Sequence, residues 1–267
     1  MDISLYDCGV VLSSKNHVKS TGVVGGGVPR GCIDGFSSAA RLRLRLALLR
    51  YKLDGGSRVG VTLTLPWCVS DWSLCMGDFR EVMHRFRVYW LRRFPSDGAI
   101  FRVELQRRGA PHVHLVAWHK YPFPADLNDR YFRLWFDSLL GDLRGGSFSD
   151  FARHGVRVDP CPNVIASIRY LCDHGSKRKQ AQLGYKGKQW GILGKSNLRE
   201  YGGLSFELTD REMVLLSRFL RRLSRFRVRA PCVFGSKLSK MRRLNRVVYC
   251  SDDTIIRFLT MFPSGNI

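Results

Sequence analysis

The sequence predicts an α+β domain in which a central antiparallel sheet carries a His-x-His hairpin and helices pack on that sheet. Three observations predict it. Arg58–Trp67, RVGVTLTLPW, is a β-branched alternating run ended by Pro66, which reads as a central strand. Phe101–Trp118, FRVELQRRGAPHVHLVAW, reads as a β-hairpin whose turn holds a Gly and a Pro. Segments with apolar residues at helical spacing precede, separate and follow these runs.

Taken in order, residues 1–35 are rich in Gly, as in GVVGGGVPRG, and poor in periodicity, so they read as a loop-like lead-in. They lack the GxxxxGK[ST] pattern of a phosphate-binding loop. Residues 36–53, FSSAARLRLRLALLRYKL, read as a basic helix with Ser37 and Ser38 as caps and an Arg face over a Leu core face. After the Arg58–Trp67 strand, a helix is expected from about Asp78, where Phe79, Val82, Met83 and Phe86 recur at helical spacing. His84 within it reads as a structural or surface residue.

Beyond the hairpin, Leu127–Leu143 reads as a helix with Tyr131, Leu134, Trp135 and Leu139 or Leu140 as its buried stripe. Gly155–Pro160 is a short strand. The next helix begins at Pro162 or Asn163, runs from Val164 to about His174, and ends at Gly175. Asp210–Arg229 reads as a helix with an acidic first turn and a strongly basic second half, and KLSKMRRLNR adds a further cationic patch. The expected organisation is an N-terminal loop and basic helix over 1–57, a central domain over 58–200, and a basic helical extension over 201–267.

Among 267 residues, 44 Lys and Arg oppose 22 Asp and Glu, for a net charge of +22. That surplus favours a polyanionic partner, with nucleic acid first, because each phosphate contact releases counterions. Hydrophobic residues at 45% supply a folded core, which sets the chain apart from a disordered basic tail. No run of about 18 apolar residues occurs, and MDISLYDCGVVLSS lacks the features of a signal peptide, so a cytoplasmic protein without membrane contact is expected. The eight cysteines form no CxxC pair and read as reduced, mostly buried thiols.

Two constellations carry chemistry. The two-residue period of a strand puts His112 and His114 on one side of the hairpin's second strand, with Val113 toward the core. Glu104 on the first strand comes back opposite them, so two imidazoles and one carboxylate can converge on a divalent ion. In the second, Tyr170 and His174 are four residues apart on one helix face, with Lys177 just past Gly175. As a nucleophile, Tyr170 needs a metal-polarised phosphate or a local base, and Lys177 can stabilise the phosphate or the departing oxyanion. As an ordinary helix residue, Tyr170 would pack with its hydroxyl satisfied. Downstream, LGYKGKQWG offers Tyr185 or Trp190 for base stacking and Lys186 and Lys188 for phosphates, a pattern suited to single-stranded nucleic acid; core packing serves Trp190 equally.

ELQRRGAPHVHLV resembles the His-hydrophobic-His motif of HUH endonucleases, and RYLCDHGSK resembles their tyrosine motif with its trailing lysine. GVTLTLPW looks like the apolar strand motif that precedes both, and the three together span about Val59–Lys177. QAQLGYKGKQWGILG is similar to sequences in replication initiators of single-stranded DNA phages and related plasmids. The resemblance implies an HUH endonuclease domain over 58–200 that nicks one DNA strand at an origin, in the cytoplasm of a bacterial host. Its tyrosine would become linked to the 5′ end and leave a free 3′ hydroxyl for rolling-circle replication. By the same resemblance Tyr170 is the nucleophile, His112, His114 and Glu104 hold Mg²⁺ or Mn²⁺, and Lys177 is an accessory cation. Single-stranded origin DNA is the implied substrate, with host helicase and DNA polymerase as partners.

One departure stands out. Where several phage relatives carry a second tyrosine this chain has His174, and at their first lysine position it has Asp173, which implies a single-tyrosine enzyme. His174 then either assists Tyr170 or favours the helix C-terminus as an imidazolium. Two other classes share parts of the pattern. A single-stranded DNA-binding protein needs the basic surface alone, and a metal-dependent hydrolase acting through water, with Zn²⁺ for example, needs the ligands without Tyr170.

Overall fold

The computed structural model describes residues 2–6, 9–13, 36, 38–53, 56–65, 76–106, 110–120, 125–140, 154–172, 188–201, 204–207 and 246–249, together with Thr209, Arg211, Glu212, Val214, Leu215 and Arg218. The chain divides into two compact units, one of residues 30–200 and one of residues 1–29 with 201–267.

The 30–200 unit is built on five antiparallel strands in the order β7-β4-β6-β5-β8. These are β4 (Ser57–Thr64), β5 (Gly98–Leu105), β6 (Pro111–His119), β7 (Val156–Pro160) and β8 (Trp190–Leu193). Alternation gives the sheet two chemically different faces. Val59, Val61 and Leu63 of β4, Ala99 and Val103 of β5, and Val113, Leu115 and Ala117 of β6 are all buried in one hydrophobic cluster. Gly60, Thr62, Thr64, Arg102, Glu104, His112 and His114 occupy the intervening positions and so face the other way.

Two helices cover the apolar face. In α2 (Met76–Arg93) Phe79, Val82, Phe86 and Trp90 recur every three or four residues and are fully buried. In α3 (Leu127–Ser138) Tyr131 and Trp135 are fully buried, and the Phe86 and Trp135 rings meet edge to face at 5.6 Å. Each such aromatic contributes about 1.5–3 kcal/mol through burial, so the hairpin rests on a rigid platform. The expected Leu127–Leu143 helix stops at Ser138, whose hydroxyl donates to the Leu134 carbonyl at 2.7 Å, and Leu139 continues in extended geometry.

The polar face is approached by α4 (Val164–Cys172), whose start is capped by Asn163: its side-chain oxygen accepts from the Ala166 N–H at 2.8 Å. Helix α1 (Ser38–Arg50) packs against α4, burying Leu44, Leu48 and Leu49. Arg43 is exposed, but Arg41 and Arg45 are half-buried like Leu42 and Leu46, so the expected division into an Arg face and a Leu face does not hold. It runs into β3 (Tyr51–Lys52), which pairs with β9 (Arg199–Glu200). Gly194, at φ 55°, leads into a short 3₁₀ turn, Lys195–Asn197, where a Cβ would stand 2.2 Å from the Asp97 carbonyl oxygen.

In the other unit the structure corrects the expectation of a loop-like N-terminus. β1 (Asp2–Tyr6) and β2 (Gly9–Ser13) are strands in a four-stranded antiparallel sheet ordered β10-β1-β2-β11, with β10 (Leu204–Glu207) and β11 (Arg246–Tyr249). β1 and β2 pair with each other as a tight hairpin, while their outer partners β10 and β11 lie about two hundred residues away in sequence, so the full sheet is not announced locally. The C-terminal region is correspondingly not purely helical. Helical geometry is present at Arg211, Glu212, Val214, Leu215 and Arg218, and Glu212 accepts from both the backbone and hydroxyl of Thr209, a capping box. The GVVGGGVPRG stretch lies outside the described residues, as does the KLSKMRRLNR patch up to its last residue, Arg246, which opens β11. Among the described residues no helix is long and apolar enough to cross a membrane, and Cys161 and Cys172 are buried free thiols.

Candidate active site

Strand register assembles the site. Across the polar face, Arg157 of β7 pairs with Thr62 of β4, Thr62 with His114 of β6, His114 with Arg102 of β5, and Arg102 with Trp190 of β8. The next row sets Thr64, His112 and Glu104 side by side. Directly opposed residues on antiparallel strands project to the same face, so both rows point toward α4.

One ligand atom each from Glu104, His112 and His114 lies within 4.8 Å of the others. His114 Nε2 is 2.7 Å from Glu104 Oε1, and the two imidazole rings meet at 4.5 Å. Arg102 holds the other carboxylate oxygen of Glu104 at 3.5 Å and donates to the Leu171 carbonyl at 2.7 Å. It therefore ties the carboxylate to the helix that bears Tyr170. A buried carboxylate beside two imidazole nitrogens is a donor set that fits a divalent cation.

Tyr170 completes the arrangement. Its hydroxyl lies 2.5 Å from Thr62 Oγ1, and its ring meets His114 edge-on at 5.3 Å. Gly60 makes this approach possible: a Cβ there would stand 3.0 Å from Tyr170 Cζ. Burial pushes the phenol's pKa well above its ordinary value, and the Thr62 hydrogen bond offsets only part of that. Asp159 and Cys161 push it further upward, with Arg157 acting the other way. Without a further electrophilic partner the phenol stays protonated.

Of the residues singled out in the sequence, the structure brings Glu104, His112, His114 and Tyr170 to one face. Trp190 is half-buried on β8 at the end of the same row, and Lys188 is exposed just before it. Lys177, Tyr185 and Lys186, with Asp173 and His174, lie outside the described residues.

Sequence reasoning missed the supports. Thr62 Oγ1 is 3.3 Å from His114 Nδ1, Thr64 Oγ1 is 3.1 Å from His112 Nδ1, and the Gln106 amide is 2.9 Å from His112 Nδ1. The signal was present: TLT on β4 has the same two-residue period as HVH on β6, and the register sets one against the other.

Three relatives are named for replication. A provisionally named replication protein of Xylella fastidiosa strain Temecula1 is 26% identical over 276 residues, covering 97% of this chain and 95% of that protein. The replication-associated protein of Pseudomonas phage Pf3 is 28% identical over 148 residues, 55% of this chain and 50% of that protein. A second provisionally named replication protein, from Xylella fastidiosa strain 9a5c, is 24% identical over 177 residues, 63% of this chain and 53% of that protein. The latter two matches thus span about half the length of each relative. No protein-family model and no solved structure matches the chain.

Proposed function

We propose that the protein is a replication initiator that nicks single-stranded DNA at an origin through Tyr170, as an HUH-type endonuclease and strand transferase. One observation carries the reading. The Tyr170 hydroxyl shares Thr62 with His114, a member of the only cluster of three potential metal ligands among the described residues. Replication is the role for which the three relatives are named, and the net charge of +22 suits a nucleic-acid substrate.

In this reading Glu104, His112 and His114 hold Mg²⁺ or Mn²⁺. Bound there, the ion would polarise the scissile phosphate and offset charge on its oxygens. Tyr170 Oη forms a bond to phosphorus, the bond from phosphorus to O3′ breaks, and the 5′ phosphate stays on the tyrosine. The phenol proton passes to solvent, and the departing O3′ takes up a proton to become the free 3′ hydroxyl. Rolling-circle replication would extend from that hydroxyl, with host helicase and polymerase acting on the opened strand.

The chain's other residues bind and orient. Trp190, half-buried at one end of the Arg157-to-Trp190 row, offers a face for base stacking, and the exposed Lys188 and Arg157 offer charges for phosphates. Tyr185 and Lys186 extend the same role along the chain in this reading, and Lys177 would be the accessory cation that stabilises the phosphate or the departing oxyanion.

The test is covalent trapping. Full-length protein incubated with a single-stranded oligonucleotide library spanning the replicon and Mn²⁺ yields a protein–DNA adduct, and Tyr170→Phe forms none. Cleavage by Tyr170→Phe at the wild-type rate, without adduct, would instead assign the chemistry to water.

A further inference from the structure

Thr62 occupies an unusual place. Its hydroxyl stands between Tyr170 Oη at 2.5 Å and His114 Nδ1 at 3.3 Å, while the opposite nitrogen of that imidazole, Nε2, faces Glu104 Oε1 at 2.7 Å. A threonine hydroxyl has one hydrogen to give and lone pairs to receive. Its direction is therefore set by whichever neighbour insists on donating.

We infer that Thr62 is a positioning residue for the nucleophile: its hydroxyl transmits the tautomer of His114 to Tyr170, and so decides whether the phenol oxygen donates or accepts. The inference rests on the reading of this face given above and deepens it.

Consider the two neutral forms of His114. With its hydrogen on Nε2, the ring donates to Glu104 and leaves Nδ1 as an acceptor. Thr62 then donates to Nδ1, and Tyr170 must donate to Thr62, so the phenol's hydrogen is held against Oγ1. When Nε2 instead offers its lone pair to a cation, the hydrogen sits on Nδ1 and Nδ1 donates to Thr62. The one hydrogen of Thr62 then no longer serves Nδ1 and can turn to Tyr170 Oη. The phenol's own hydrogen is released from the Thr62 contact, and the oxygen gains a donor that favours negative charge as attack proceeds.

Burial shields one end of the linkage: His114 is 5% exposed and Glu104 2%, while Thr62 and Tyr170 are half-buried. Gly60, whose missing side chain lets the Tyr170 ring come down onto β4, sets the short distance across which the signal passes.

The test compares Thr62→Val, which keeps the branched shape without the hydroxyl, with Thr62→Ser, which keeps the hydroxyl. In the full-length protein, Thr62→Val is expected to slow adduct formation at saturating Mn²⁺ by about 100-fold and to weaken Mn²⁺ binding, read by electron paramagnetic resonance without DNA, by about 10-fold. Thr62→Ser is expected to recover most of both. Nitrogen-15 spectra of His114 should show its hydrogen moving from Nε2 to Nδ1 on addition of Mg²⁺. A Thr62→Val protein that reacts at the wild-type rate, or a His114 tautomer that Mg²⁺ leaves unmoved, overturns the inference. Should Thr62→Val fail to fold, Thr62→Ser and the nitrogen spectra still decide it. An adduct that survives Tyr170→Phe, by contrast, removes the nicking mechanism itself.

Discussion

Strand β6 supplies the histidine of two histidine–carboxylate–tyrosine sets, one on each face of the sheet. On the polar face, His114 meets Glu104 at 2.7 Å with Tyr170 against Thr62. On the apolar face, His119 Nδ1 meets Asp97 at 2.6 Å and its Nε2 lies 3.1 Å from the Tyr131 hydroxyl. Histidine, carboxylate and tyrosine are alike in both, and burial pushes both phenols above their ordinary pKa. What differs is the company. Tyr131 is fully buried, receives a hydrogen bond from Trp90 and stacks on Phe94, and the peptide N–H of Lys120 donates to Asp97. Tyr170 is half-buried, and its histidine has a second imidazole 4.5 Å away. The lesson is that a triplet of reactive side chains becomes a site only where something can enter beside it; sealed in a core, the same triplet is a clamp.

The sharpest way to break this comparison is to remove its histidines in turn. His112→Ala and His114→Ala are expected to lower nicking by about 10³-fold while retaining salt-sensitive DNA binding, since phosphate contacts are spread over many cations. Electrophoretic binding and adduct assays on the same preparations would show it, and full nicking by either variant would cancel the ligand assignment. His119→Ala should do the reverse. It leaves the buried Asp97 with the Lys120 N–H but without its imidazole, at a cost of about 3 kcal/mol, read by urea denaturation, and spares nicking at temperatures where the variant stays folded.

The smallest effect concerns pH. For Asp97, burial opposes ionisation, yet the His119 hydrogen bond, together with the Lys120 N–H and the nearby imidazole charge, outweighs it and holds the carboxyl below its ordinary value of 3.8. The folded protein thus releases this proton more readily than the unfolded chain does. Its stabilisation is fully present above the unfolded value and is lost as pH falls through the folded one. Between about pH 5 and pH 3, wild type should lose more stability than Asp97→Asn. Parallel acid titrations of the two proteins would reveal equal slopes if the clamp carried no such charge.

How much of this was legible in the sequence follows from the range of each interaction. His112 and His114 announce themselves by a two-residue period, which is local, whereas Tyr170 on its helix reads equally as a packed residue and stands out through the resemblance of RYLCDHGSK to a tyrosine motif. Glu104 required only the hairpin. Thr62 and Thr64 could be seen as strand residues, but their role depends on a register between segments about fifty residues apart. The clamp escaped notice altogether, since Asp97 lies just before β5 and His119 ends β6, with no spacing to join them. For β1 and β2 the mutual hairpin is local, but the strands that flank it, β10 and β11, lie near the other end of the chain and left no trace nearby. The core helices were readable because Phe79, Val82 and Phe86 repeat within two turns.

The parity of the sheet has a consequence for tolerance to change. Along β6, His112 and His114 face one side at even-numbered positions while Val113, Leu115 and Ala117 enter the core at odd-numbered ones, so inserting one residue within the strand would exchange the faces of every side chain beyond it. Lengthening the chain reversal between Gln106 and Ala110 leaves that phase intact on both arms. Genetic drift in length is therefore admissible at the tip of the hairpin and forbidden along its stem, whatever residues are added.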